Sequence, residues 1–467
     1  MIKRRIIAIF IIFSFLTTAG FGCKTTDKAT EEAMQPITLE YWRVFDGPDA
    51  FEDIISAYEA LHPYITINYK KLRYAEYEQA LLEAWADGEG PDIFSIQNTW
   101  VDKYESKIEP MPEYTSAVYM TEQGSIKTEV VPELQKEKSL TLKEIKNNFV
   151  DVVYDDAVKE VIDEDTDKVS EEVMGLPLSV DTLAMFYNKD LLNNAGVALP
   201  PSYWNEEFQE IVKETTLQNT KGLIIQSGTA LGGSDNVERS FDILSALMMQ
   251  NGAEMMDESG SVLFNTIPDT FKSEKYNPGL DALRFYTDFA NPSKEVYCWN
   301  NTMDNSIDLF SRGKVALVFG YSYHLPVIKA NAPKLNFGVA KLPQIEGSLS
   351  EVNYANYWLE TVSKRSENSN EAWNFVQFAT KAEQAAKYLA ATGKPTALRS
   401  LIETQTDDLE IGPFAEQVLT AKSWYHGANV LSAEEIVNEM IDSAVAGEED
   451  IDDVINLGAR RVQQTIE

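Results

Sequence analysis

Residues 37–97 read ITLEYWRVFDGPDAFEDIISAYEALHPYITINYKKLRYAEYEQALLEAWADGEGPDIFSIQ, and this stretch decides the fold. It predicts three strands, at 37–42, 65–69 and 92–96, with a helix in each interval. Each helix is indicated by apolar residues spaced to lie on one face, namely Phe51, Ile54, Ile55, Tyr58 and Leu61, then Tyr77, Leu81, Leu82 and Trp85. Strands that alternate with helices are typical of a parallel, doubly wound sheet, so we predict an α/β fold.

The ends of these predicted strands indicate where a ligand binds. In open α/β sheets, ligands occupy the crevice beyond the carboxyl ends of the strands. This rule indicates residues 42–46 after the first strand and residues 97–100 after the third.

The rest of the chain continues the same pattern after an interruption. A second series of strands and helices is predicted after Gly175, and the last hundred residues are mainly helical, at 371–389 and 433–446. The polar region 107–174 is harder to place, and the sequence leaves its role open. Its alternating acids at 163–167 could suggest calcium, but the glycine and distal glutamate of an EF-hand loop are missing. A charged hairpin tip is the favoured interpretation.

The N-terminus has the features of an export signal. A basic start at 3–5 precedes an apolar run at 6–16, which is shorter than the roughly 20 residues that a membrane-spanning helix needs. Small residues then lead to Cys23, as in a bacterial lipoprotein signal, although Gly20 stands where that pattern usually has Leu. We therefore predict a signal peptide at 1–22, lipidation of Cys23, and a flexible tether at 23–36. An ordinary cleavage site that happens to lie near a cysteine is the alternative.

The amino-acid composition disfavours some classes of binding partner. The formal net charge is −34 at pH 7, which disfavours nucleic acid and anionic lipid surfaces, so the only membrane contact we expect is through the N-terminal lipid. The second of the two cysteines is Cys298, so a lipidated Cys23 leaves no intrachain disulfide. The roughly 440 residues after the leader indicate two or more lobes.

Patterns of catalytic residues are scarce in the chain. The histidines His62, His324 and His426 are far apart in sequence, and no zinc-binding, nucleophile-elbow or phosphate-loop motif is present. We therefore predict a protein that is not an enzyme and that uses no cofactor or metal. A surface-anchored polysaccharide-degrading enzyme is the alternative from a different class.

Aromatic residues next to amide and charged residues occur at several predicted loops. A sugar offers C–H faces that stack on aromatic rings, and hydroxyls that need paired donors and acceptors. Core packing is the other interpretation for each ring taken singly. The candidate ligand-binding residues from these clusters are Trp42, Arg43, Gln97, Asn98, Trp100, Tyr321, Tyr323, Trp358 and Trp424.

Six short motifs resemble those of one family, in that family's order. They are GPDI at 90–93, GLPL…YNK at 175–189, FSRGKVAL at 310–317, GVAKLP at 338–343, EAWNF at 371–375 and TGKPTA at 392–397. The sequence thus resembles the extracellular solute-binding proteins of the family that includes maltose-binding protein. The resemblance runs from about residue 37 to the C-terminus, apart from 107–174.

The resemblance implies a type II periplasmic-binding-protein-like fold, with two α/β lobes and the ligand in the cleft between them. It implies chain crossings near Val180, Tyr321 and Ser363, and it adds Asp181 to the ligand-binding candidates. The implied division is 37–180 in lobe 1, 181–322 in lobe 2, 323–366 returning to lobe 1, and 367–467 as C-terminal helices of lobe 2.

In this family, closure around the ligand is what a membrane permease recognises. We therefore expect a monomer that captures a small polar ligand, most simply a mono- or oligosaccharide, for the permease subunits of an ABC importer. A ligand sensor with the same fold is the other alternative. Several cleft aromatics of maltose-binding protein have no counterpart here, so the sequence does not identify the sugar.

Overall fold

The computed structural model describes residues 28–123, 129–163, 167–348 and 350–466. The predicted signal peptide and Cys23 lie outside these residues. Among the described residues, no helix combines the length and the apolar character needed to span a membrane.

The first lobe is built on a six-stranded sheet in the order β2-β1-β3-β17-β4, with β9 also paired to β17. Its strands are β1 (Ile37–Val44), β2 (Ile65–Leu72), β3 (Ile93–Gln97), β4 (Ile108–Glu109), β9 (Leu176–Pro177) and β17 (Trp358–Ser363). The three strands predicted from residues 37–97 are confirmed, and β1 lies parallel to both β2 and β3. Their carboxyl ends therefore meet at one edge of the sheet.

Helices cover this sheet, and most of the predicted helix faces are buried. The helices of the first lobe's main layer are α2 (Glu52–Leu61), α3 (Tyr74–Asp87), α4 (Val101–Tyr104), α13 (Ser369–Ala379) and α14 (Ala382–Thr392). On α2 and α3 the buried positions include Ile54, Tyr58, Tyr77 and Trp85, as the spacing predicted. Leu61 and Leu82 are exposed instead, because each lies at the margin of its helix's apolar stripe.

The polar region 107–174 forms two hairpins and two helices beside the first sheet. These elements are β5 (Tyr114–Gln123), β6 (Glu129–Lys138), α5 (Leu142–Asn148), α6 (Asp151–Ala157), β7 (Val158–Asp163) and β8 (Lys168–Val173). Helix α1 (Lys28–Ala33) contacts the β5–β6 hairpin. The predicted hairpin around 163–167 is present as β7–β8, although residues 164–166 of its tip lie outside the described residues.

The second lobe is built on a five-stranded sheet in the order β12-β13-β14-β11-β15. Its strands are β11 (Ala184–Asn188), β12 (Leu217–Gln218), β13 (Ile224–Thr229), β14 (Val315–Gly320) and β15 (Phe337–Ala340). Its helices are α7 (Lys189–Asn194), α8 (Glu206–Thr215), α9 (Ser240–Gln250), α10 (Pro278–Asp288), α11 (Ser306–Ser311), α12 (His324–Asn331), α16 (Val430–Ala446) and α17 (Ile451–Gln463).

A small three-stranded sheet joins the lobes. It consists of β10 (Asp181–Thr182), β16 (Asn353–Asn356) and β18 (Ala421–Lys422). The chain crosses between lobes at 178–183, again at 353–358, and a third time at 393–412, before α15 (Gly412–Gln417). The first and third crossings touch, because Val180 N donates to Pro395 O at 3.3 Å.

The observed crossings and lobe ranges differ in part from those that the resemblance implied. The chain passes between the two sheets near Val180, but Tyr321 stays in the second lobe and Ser363 ends a strand of the first sheet. The reason is that β15 turns back to pair antiparallel with β11, which keeps the chain in the second lobe for longer.

The same pairing divides two of the expected segments. Of residues 323–366, α12 and β15 belong to the second lobe and β17 to the first. Of residues 367–467, α13 and α14 contact α2 of the first lobe, whereas α16 and α17 pack on α10 of the second. The expected tether at 23–36 also differs, since residues 28–33 form α1.

Candidate functional site: the interlobe cleft

Four aromatic side chains gather at the carboxyl edge of the first sheet. Phe45 follows β1, Tyr74 follows β2, Trp100 lies in the turn Asn98–Trp100 after β3, and Trp358 begins β17. Trp358 pairs with Gln97, the last residue of β3, which places the start of antiparallel β17 at this edge. We call these four side chains the aromatic platform.

The rings of the aromatic platform contact one another. Phe45 stacks on Tyr74, with ring centroids 5.6 Å apart. Trp358 meets both Phe45 and Trp100 at 5.6 Å. Phe45 is 54% exposed and Tyr74 is 42% exposed, whereas Trp100 is buried behind them. The platform therefore exposes the rings of Phe45 and Tyr74, which pack against Trp358 and Trp100.

The backbone at Phe45 is in an unusual conformation. Its φ is +64°, a region that a bulky residue rarely occupies and that costs energy. The neighbouring Asp46 holds the loop, accepting from Arg43 Nη1 and Lys394 Nζ at 2.7 Å each and from Tyr388 at 2.9 Å. Burial alone would raise the pKa of Asp46, but Arg43 and Lys394 outweigh it and lower that pKa. Asp46 is thus an ionised anchor that maintains the strained turn.

Charged and aromatic groups of the second lobe form a second wall, which we call the charged wall. Arg239, just before α9, forms ion pairs with Asp242 at 2.8 Å and with Glu434 of α16 at 3.0 Å. Tyr321 donates to Asp242 at 2.5 Å. Tyr323 stacks on Tyr321 at 5.7 Å and is 43% exposed.

The two walls face each other across a narrow gap. Burial and then the Glu434 carboxylate of the charged wall raise the pKa of Tyr74, so these two groups are close. Side chains from both lobes line the gap, including Gln97 and Asn98 from the first and Arg239 and Asp242 from the second. Its volume is about 10 Å³, which is room for about one water molecule. At these residues the two lobes leave no space for a larger ligand.

Asp181 lies at the first crossing and joins it to the second lobe. Its carboxylate accepts from Ser322 Oγ at 2.6 Å, from Ser322 N at 3.0 Å and from Thr182 N at 2.9 Å. Burial raises the pKa of Asp181 to about 6, although these three hydrogen bonds oppose the rise. Because protein donors already engage both of its oxygens, these contacts favour a structural role in the crossing.

The structure brings together only some of the residues that the sequence singled out. Gln97, Asn98, Trp100 and Trp358 lie at the first lobe's edge, and Tyr321 and Tyr323 lie on the charged wall. Asn98 also donates to the buried Asp156 of α6 at 2.9 Å, which fixes its orientation.

Three candidates lie away from the gap. Arg43 is buried and forms an ion pair with Glu360 at 2.9 Å. Trp42 is buried beneath the ammonium group of Lys70, 4.0 Å from the ring centroid. Trp424 stacks on Phe241 at 5.7 Å inside the second lobe. In each case contacts within the protein occupy the side chain. Trp42 and Arg43 are consecutive residues of β1, so they face opposite sides of the sheet and both are covered.

Several residues of the site were missed by the sequence analysis. Phe45 lies inside the indicated range 42–46, but the ring chosen there was Trp42, at the end of the predicted strand. Tyr74 would have been found by applying the strand-end rule to β2 as well as to β1 and β3. Arg239 and Glu434 had no local signal, since 195 residues separate the two members of the pair.

Two α/β lobes, three crossings and a cleft lined from both sides define a two-lobed solute-binding protein. Residues 46–386 match the model of the family described as bacterial extracellular solute-binding protein. The chain belongs to this family, and the expected type II periplasmic-binding-protein-like fold is confirmed. Membership also places the protein outside the cytoplasm.

Curated relatives match most of the chain at low identity. A protein of Brucella abortus (strain 2308) named as a binding protein is 24% identical over 378 residues, covering 80% of this chain and 79% of its own length. The multiple sugar-binding protein of Streptococcus mutans is 21% identical over 415 residues, covering 88% of this chain and 86% of its own.

Solved structures share the fold over nearly the whole chain. The cyclic α-maltosyl-1,6-maltose binding protein of Arthrobacter globiformis has a TM-score of 0.69 at 17% identity, covering 92% of this chain and 99% of that one. An ABC transporter solute-binding protein of Thermotoga lettingae, bound to α-D-tagatose, has a TM-score of 0.63 at 18% identity, covering 92% and 100%.

Proposed function

We propose that this protein is a lipid-anchored, monomeric binding protein that captures a mono- or oligosaccharide in the interlobe cleft and delivers it to an ABC importer. The observation that carries the proposal is the aromatic platform, which presents Phe45 and Tyr74 opposite the charged wall. The sugar-binding names of a curated relative and of a solved structure with the same fold support the choice of ligand class.

The aromatic platform and the charged wall are complementary to the two kinds of surface on a sugar. The C–H face of a pyranose stacks on an aromatic ring, and exposed rings are the part of the platform that a ligand can reach. The hydroxyl rim needs donors and acceptors, which the guanidinium of Arg239 and the carboxylates of Asp242 and Glu434 supply.

Ligand entry requires the lobes to separate. The pocket of about 10 Å³ between the lobes does not admit a sugar ring, so we infer that the lobes move apart before binding and close around the ligand. The crossings at 178–183, 353–358 and 393–412 are the hinge that this motion would use.

We propose capture without turnover. The charged wall's carboxylates are paired with Arg239 or bonded to Tyr321 rather than set out as a general acid and base pair. Chemical analysis of the bound sugar after long incubation tests this point. Unchanged sugar agrees with capture, and steady product formation contradicts it in favour of the polysaccharide-degrading alternative.

The proposal is tested by titrating the mature protein with a panel of mono- and oligosaccharides in a calorimeter. With any sugar that binds, Tyr74→Ala should weaken affinity about five- to a hundredfold, because removal of a stacking ring costs on the order of 1–3 kcal/mol. Tyr203→Ala is the matched control, since Tyr203 is 43% exposed on the second lobe and Tyr74 is 42% exposed. Equal affinity of the two variants, or no sugar binding by the parent protein, would contradict the proposal.

A further inference from the structure

The first lobe contains a second cavity, far larger than the pocket between the lobes. It has a volume of about 560 Å³, within the roughly 300–1,000 Å³ range of small-molecule sites. The β5–β6 hairpin forms one side, and the ends of α5 and α13 with the start of α14 form the other. We call it the hairpin cavity. None of the residues that line it lines the interlobe gap.

The lining combines apolar surface with free polar groups. Tyr119 and Phe378 are half-buried in its wall and provide ring surface. The side-chain amides of Asn147 and Asn148 make no hydrogen bond to another described residue, so each can offer both a donor and an acceptor. By contrast, Gln377 is already engaged, accepting from Leu140 N at 3.0 Å. The cavity thus has apolar walls with unused amides at its rim.

The charge of the cavity is opposite to that of the molecule. Lys138 and Lys381 line it with a single acid, Glu137, giving a net charge of +1 in a chain whose net charge is −34. Glu137 lies beside Tyr119, where burial and then this carboxylate raise the pKa of the phenol. Neither lysine forms an ion pair with a described carboxylate, although the Glu144 carboxylate interacts electrostatically with Lys138. The Lys381 ammonium group lies over the Phe378 ring, 5.8 Å from its centroid. An anion is therefore favoured here and disfavoured over most of the surface.

A neighbouring helix end adds to this preference. Helix α14 begins directly after Lys381, and no described side chain caps its first backbone N–H groups. The acid in its first turn, Glu383, is paired with Lys387 at 3.8 Å. The partial positive charge of a helix N-terminus favours a carboxylate nearby. We propose that the hairpin cavity is a second ligand site, independent of the interlobe cleft, for a small hydroxylated carboxylate such as a sugar acid. The carboxylate would face Lys381 and Lys138, and the hydroxyls would face the two asparagine amides.

Calorimetric titration of the mature protein with D-glucuronate tests this site, with D-glucose and uncharged methyl glucuronate as matched ligands. We expect glucuronate to bind, and to bind at least about tenfold more weakly to Lys381→Met, since one charge-assisted contact is worth on the order of 1.5–3 kcal/mol. Asn148→Ala should also weaken binding. Lys221→Met, at an exposed lysine of the second lobe, and Tyr74→Ala, in the cleft, should leave it unchanged.

Melting curves of the variants check folding, and the changed side chains are exposed at the cavity rim. The inference is overturned if neither glucuronate nor open-chain gluconate binds at millimolar concentration, or if methyl glucuronate binds equally well. It is also overturned if Tyr74→Ala abolishes glucuronate binding while Lys381→Met does not, because that result places the acid in the cleft.

Discussion

At the scale of single residues, Phe45 has both a strained backbone and an exposed ring. A φ of +64° in a residue with a large side chain persists only where the surroundings impose it. The surroundings here are Asp46 with its ion pairs to Arg43 and Lys394, and the stack on Tyr74. The strain is consistent with a loop shaped to hold a ring toward a ligand.

This strain predicts different stabilities for two truncations of the same side chain. Phe45→Gly should be more stable than Phe45→Ala by about 1 kcal/mol, because glycine adopts positive φ without the steric cost that alanine carries. Both variants lack the ring, so both should lose sugar affinity by about five- to a hundredfold. Urea unfolding with calorimetric titration measures both effects. An alanine variant as stable as the glycine variant would show that the loop relaxes and that Phe45 is unstrained in solution.

At the scale of elements, the short strand β10 connects the hinge to the second lobe through one carboxylate. Asp181 accepts hydrogen bonds from Ser322, just after β14, and its burial raises its pKa to about 6. An unfolded aspartate titrates near about 4. The folded protein therefore binds a proton at Asp181 more readily than the unfolded chain between about pH 4 and 6.

The sign of the resulting pH dependence follows from this pKa. Asp181 contributes stability that is fully present below about pH 4 and lost as the pH rises through about 6, in total about 3 kcal/mol. Asp181→Asn removes the titration, so the stability of the parent relative to this variant should fall between pH 4.5 and about 7. Unfolding free energies of both proteins across this range measure the difference. A constant difference would mean that Asp181 keeps an ordinary pKa.

At the scale of the whole molecule, the two lobes and Cys23 together indicate how the protein would work at a membrane. We propose that attachment to the membrane depends on a lipid at Cys23. A lipid attached to a single cysteine is lost when that cysteine is replaced.

Replacement of the anchor should change the location of the protein and nothing else. Cys23→Ser in the full-length chain should move the protein from the membrane fraction to the soluble fraction, with sugar affinity unchanged, because no residue of the cleft is changed. Fractionation after a carbonate wash, followed by immunoblotting, measures this. Cys298→Ser is the control, since Cys298 is buried in the second lobe and should not affect location. Persistence of the Cys23→Ser protein in washed membranes would contradict lipidation at this residue.

The local pattern of the sequence was sufficient to predict many of the strands and helices of the first lobe. The apolar periods of residues 37–97 identified β1 to β3 and the helices between them, because helices and strands bury one face with a fixed spacing. The ordered motifs from GPDI at 90–93 to TGKPTA at 392–397 identified the family, which the match over residues 46–386 confirms.

The lobe ranges and the residues that face the cleft depended on tertiary contacts. Strand β15 pairs antiparallel with β11, and this pairing places residues 323–340 in the second lobe. No local sequence pattern predicts such a pairing. Phe45 faces outward because Asp46 is held by Lys394, 348 positions further along the chain, whereas Trp42 is covered by Lys70 from the neighbouring strand. Sequence periodicity specifies which side chains are buried on an element. Long-range contacts decide which of the remaining side chains reach the cleft.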